Sequence, residues 1–88
     1  MASKRNLKKD INYVLGDIIG IVYEWELDNP GNDTKTSQAI IDETIDVFDD
    51  LIAKVNDRAT ENPKEHFKSI RKELENKSND LIEKVNKL

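Results

Sequence analysis

Apolar residues in this chain recur every three or four positions, through three long stretches parted by two proline-bearing breaks. That is the α-helical period. It is incompatible with the strict alternation of a half-buried strand. The first stretch, Ser3 to Leu27, carries Leu7, Ile11, Val14, Ile18, Val22 and Trp25 on one stripe, with Leu15 beside it. The second, Thr34 to Ala59, carries Ile41, Ile45, Phe48, Ile52, Val55 and Ala59, widened by Ile40, Val47 and Leu51. The third begins at Pro63 and carries Phe67, Ile70, Leu74, Leu81, Val85 and Leu88; Ser78 falls where an apolar residue is expected.

The breaks have their own chemistry. Asp28-Asn29-Pro30-Gly31-Asn32-Asp33 is a turn segment. Asn62-Pro63-Lys64-Glu65 is a helix start, with Asn as cap, Pro in the first turn and Glu three residues after the cap. Ser3 can cap the first helix. The expected fold is all-α, a three-helix up-down-up antiparallel bundle. It forms a single domain over residues 1–88, with helices near 3–27, 34–59 and 63–87. In a rival arrangement the first two helices form a hairpin that dimerises into a four-helix bundle, leaving the third peripheral. Pairs at i,i+4 support the third helix: Glu73 with Lys77, Asp80 with Lys84, Glu83 with Lys87. The acidic side of the second helix (Asp42, Asp46, Asp49, Asp50) is expected to face Lys68, Arg71 and Lys72 of the third.

Composition narrows the chemistry. With 88 residues and no cysteine, the chain has neither a disulfide nor a thiolate, and one histidine cannot make a histidine-rich metal site. The net charge of −4 disfavours nucleic acid, whose phosphates call for a basic footprint. The basic start and the apolar run Ile11–Val22 superficially resemble a secretion signal. Asn12 and Asp17 interrupt that run, no small-residue cleavage site follows, and it is too short to span a bilayer. A cytoplasmic protein with no membrane association is expected.

The opening Lys4-Arg5-Asn6-Leu7-Lys8-Lys9-Asp10-Ile11-Asn12-Tyr13 resembles the start of a small bacterial family of uncharacterised all-helical proteins. The resemblance covers about the first dozen residues. It implies a bacterial, cytoplasmic origin and a helical fold, and carries no catalytic residue or function with it.

No enzyme signature is present. The glycines at 16, 20 and 31 are isolated and build no phosphate loop. His66 is read as a solvated surface histidine; Pro63 stands where a di-iron bundle places Glu. The aspartates of the second helix run down a surface and do not converge on a cation as a calcium loop does. No catalytic residue, cofactor, metal or small-molecule substrate is expected. The basic block Lys4, Arg5, Lys8 and Lys9 is a candidate phosphate-binding arm, or else a solubilising cap.

The most informative segment is Gly16-Asp17-Ile18-Ile19-Gly20. Glycine inside a helix costs about 1 kcal/mol relative to alanine. Both glycines lie on the face opposite the apolar stripe, together with Tyr13, Tyr23 and Leu27. A helix apolar on more than one side calls for more than one partner. Tyr13, Gly16, Gly20, Tyr23 and Leu27 are therefore the candidate interface. The expected function is protein–protein contact without catalysis, through a protein partner or a homodimer; the alternative is a nucleic-acid-associated protein using the basic block.

Overall fold

The computed structural model describes residues 4–57 and 62–88. Three helices make up the bundle: α1 (Lys4–Asp28), α2 (Lys35–Asn56) and α3 (Pro63–Asn86). Each helix contacts both others, and no strand occurs among the described residues. The bundle is a rod of 51 × 18 × 17 Å. At 1.5 Å per residue the 25-residue α1 measures about 38 Å and accounts for most of that length.

Polar contacts fix the directions. Glu26, late in α1, accepts hydrogen bonds from Ser37 and Gln38, early in α2, at 2.9 Å each. Lys54 of α2 reaches Glu73 of α3 at 2.7 Å, and Glu43 reaches Lys84 at 2.6 Å, so these helices also run antiparallel. Arg71 of α3 and Asp10 of α1 pair at 2.9 Å, as parallel outer helices require. The up-down-up bundle expected from the periodicity is the observed fold. α3 is not peripheral, because Ile70, Leu74 and Leu81 lie in the shared core.

The core of α1 is Leu7, Ile11, Leu15, Ile18 and Val22. Leu15 thus belongs to the middle of the stripe, and Val14 packs at its edge. Trp25 continues the stripe in sequence but is only half-buried, because the buried seam ends at Val22, one turn earlier. On α2 the buried residues are Ser37, Ile40, Ile41, Thr44, Leu51 and Val55. The seam therefore passes through Ser37, Thr44 and Leu51, seven residues apart, and Ile45, expected in the stripe, is turned outward at 44% exposure. The buried hydroxyls are satisfied locally. Thr44 donates to the Ile40 carbonyl at 2.7 Å, and Ser37 Oγ lies 2.9 Å from both the Thr34 carbonyl and Glu26. A hydroxyl bonded to its own preceding turn packs as a small apolar group at little desolvation cost. Ser78 does the same in α3, but donates to the Glu75 carbonyl at 3.0 Å rather than to Leu74.

The ends are built as the turn chemistry predicts. Asn29-Pro30-Gly31-Asn32 closes through an Asn32 N–H to Asn29 carbonyl bond of 3.2 Å, with Gly31 at φ +94°. Pro then Gly with positive φ is the type II turn pattern. The Asn29 side chain donates to the Trp25 carbonyl at 2.8 Å and so caps α1. At α2, the Thr34 side chain makes no capping bond; Asp33 accepts instead from the Lys35 N–H at 2.9 Å. Asn62 caps α3 by accepting from the Glu65 N–H at 3.3 Å. α2 ends at Asn56, short of the expected Ala59, and Asp57 is extended at ψ 121°. Ala59 and the expected cap Ser3 lie outside the described residues.

The charge pairing differs from the expectation. Glu73 and Lys84 pair across helices, with Lys54 and Glu43, instead of with Lys77 and Asp80 along α3. Arg71 turns to Asp10 of α1 rather than to the aspartates of α2, and Asp50 pairs with Lys54 on its own helix at 3.1 Å. A long side chain at the flank of a helix contact spans to the neighbouring helix and gains a partner there.

Candidate interaction surface

The candidate interface residues all lie on one outer face of α1. Tyr13 is 59% exposed, Tyr23 51% and Leu27 80%. Gly16 and Gly20 are exposed between the tyrosines. A Cβ built on either glycine would meet nothing within 4 Å. So neither glycine is needed for α1 to approach α2 or α3. Both have ordinary helical φ, in contrast to Gly31, whose positive φ the turn requires.

The face continues sideways into an open groove between α1 and α2. Asn12, Leu15, Gly16, Ile19, Ile45 and Phe48 line it, and its walls are mostly apolar. Ile45, turned outward, and Phe48 supply the α2 wall. The periodicity of α2 did not show this wall, since Ile45 fits a 3–4 stripe with Ile41, Phe48 and Ile52. The heptad Ser37-Thr44-Leu51 was the available signal that the seam ran elsewhere. Ile21 is also exposed, at 50%, and Ile82 at 43%.

The basic block forms the first two turns of α1. Arg5 and Lys9 are exposed, while Lys4 and Lys8 are half-buried on its flank. Lys9 Nζ stands 5.9 Å from the centre of the Tyr13 ring, within cation–π reach. The candidate basic patch and the candidate interface therefore meet on α1.

His66 is not the solvated histidine expected. Its Nε2 lies 2.6 Å from the Lys54 carbonyl. A carbonyl only accepts, so Nε2 carries the proton. The same carbonyl receives the Asp57 N–H at 3.3 Å. His66 thus gives this last-turn carbonyl of α2 a second donor, from the first turn of α3. Lys54 binds α3 with its side chain as well. The carboxylate of Glu73, and then that of Asp50, holds the Lys54 ammonium above its ordinary value of 10.5.

Among the described residues, no group of three or more histidines and carboxylates lies close enough to hold a metal ion. No described helix is long and apolar enough to cross a membrane. In comparison with known proteins, no family model, curated protein or solved structure matches the chain.

Proposed function

We propose that this protein acts without catalysis, through protein–protein contact, and that it self-associates through the outer face of α1. The observation that carries the reading is the pair Gly16 and Gly20, set in mid-helix between exposed tyrosines with open space over both. Two interior glycines together forfeit roughly 2 kcal/mol of helix propensity. Nothing within the bundle requires that loss. Close approach of a second backbone does, and the apolar Tyr13, Tyr23 and Leu27 around the glycines gain from burial against it.

Light scattering and sedimentation equilibrium on Gly16→Leu/Gly20→Leu test the reading. The expected result is a helical and more stable monomer that has lost the association of the parent chain. A stabilised variant whose association is unchanged would remove this face from the function.

A further inference from the structure

Resting on that reading, we infer that the partner is a second copy of this chain, docked with α1 antiparallel to α1 about a two-fold axis passing beside Ile18. Three observations point there.

The first is spacing. Lys9, Tyr13, Gly16, Gly20, Tyr23 and Leu27 follow one another at intervals of four, three, four, three and four. That is the seam of a coiled coil, laid on the side of α1 away from its own core.

The second is the symmetry of that seam. Counted outward from Ile18, Gly16 mirrors Gly20, Tyr13 mirrors Tyr23, and Lys9 mirrors Leu27. A two-fold interface presents the same patch from both copies, so residue i meets j and j meets i. Run antiparallel, the two seams place glycine on glycine at the centre, a tyrosine pair on either side, and the Lys9 stem on Leu27 at each end. The glycines let the backbones close, and the tyrosines fill the flanks.

The third is charge. On its outer side α1 begins with Arg5 and Lys9, flanked by Lys8, and ends with Glu24 and Asp28. Antiparallel docking sets each basic start beside the other copy's acidic end. It also opposes the two helix dipoles favourably. A parallel pair would place like charge on like charge at both ends, which costs binding.

The area sets the strength. The seam from Lys9 to Leu27 is about 27 Å long and about 10 Å wide, on the order of 300 Å² per copy, under half of the ~800 Å² per partner of a standard interface. The groove flanked by Ile19 and Ile45 adds to it. Association across so small a face is therefore weak and concentration-dependent. Asp17, at the margin near the axis, meets its own copy in this arrangement, so Asp17→Asn should tighten the dimer.

Because the chain has no cysteine, two single-cysteine variants read the direction directly. Tyr13→Cys and Tyr23→Cys are prepared separately, mixed, and oxidised with copper–phenanthroline. In the antiparallel pair, the thiol introduced at position 13 of one copy faces that introduced at position 23 of the other, and the opposite Tyr23–Tyr13 contact is kept. Like positions stand about 15 Å apart along the axis, beyond the reach of a disulfide. The expected result is a disulfide dimer in the mixture and none in either variant alone. Added salt should weaken association of the parent chain, and Lys8→Glu/Lys9→Glu should weaken it at least about tenfold. Disulfides in each variant alone, with association strengthened by salt, would establish a parallel dimer. That overturns the antiparallel inference and leaves the self-association reading standing. A parent chain that is monomeric at all concentrations overturns both.

Discussion

Gly16→Ala with Gly20→Ala should stabilise the monomer, and the size of the gain follows from the structure. The added methyl groups meet no atom within 4 Å, so they bring neither a clash nor a core contact. What remains is backbone propensity: alanine restricts the unfolded chain where glycine does not, by about 0.8–1 kcal/mol per site. Neither added methyl meets a tertiary partner, so the two propensity gains sum to roughly 1.6–2 kcal/mol. For a domain of this size each kcal/mol moves the midpoint by about 4–8 °C, so the double variant should unfold roughly 6–16 °C higher. Circular dichroism melts at protein concentrations low enough to keep the chain monomeric make the measurement. Gly31→Ala is the built-in contrast. Its φ of +94° is one that alanine adopts only with strain, so it should destabilise by on the order of 1 kcal/mol or more. A destabilised Gly16/Gly20 variant would mean that these glycines pack inside the bundle, and the orientation of α1 argued above would be wrong.

Three further outcomes are expected. Lys54 is raised above 10.5 by Glu73 and Asp50, so its contribution to stability is complete below that pH and fades as pH climbs through the raised value; urea unfolding on either side should show this loss, and Lys54→Met should flatten it. Ser78 is buried with its hydroxyl bonded to Glu75, so Ser78→Ala should be near neutral and Ser78→Leu should cost about 1–3 kcal/mol by overpacking; a stabilising leucine would reveal unfilled space in the seam. His66→Ala should cost about 1 kcal/mol and speed amide exchange in the last turn of α2, since it removes a donor from the Lys54 carbonyl; unchanged exchange there would deny His66 its capping role.

The bundle was legible because its signals are local. Pro30-Gly31 and Asn62-Pro63 set the breaks, and a helix-period stripe on each segment left few ways to bury it. What the pattern misplaced depended on neighbours. Ile45 fits an apolar stripe as well as Thr44 does not, yet Thr44 is inside and Ile45 outside. Hydropathy ranks the two the other way because it charges threonine for a hydroxyl that the Ile40 carbonyl satisfies. His66 was misread for a related reason. Its partner, the Lys54 carbonyl, belongs to another helix and is backbone, so no side-chain pattern announces it. Lys84 had a good partner at Asp80 by spacing and a better one at Glu43 by packing.

α1 carries the deeper ambiguity. Its inner stripe and its outer seam both repeat at three and four, and periodicity alone treats them alike. They differ in what fills them. The inner stripe, Leu7-Ile11-Leu15-Ile18-Val22, is aliphatic throughout and fully covered by α2 and α3. The outer seam alternates bulk and absence: tyrosine, two glycines, tyrosine. An aliphatic stripe suits a core assembled within one chain, where many partners adjust to fill each gap. A seam of paired tyrosines around a bare backbone suits one partner of matching relief, and the mirror order about Ile18 makes the chain its own match. The groove beside Gly16 points the same way. Its α2 wall is Ile45, turned outward, with Phe48 beside it. With Thr44 in the seam and Ile45 outside it, α2 leaves apolar surface on the side of the rod where α1 also leaves its own uncovered.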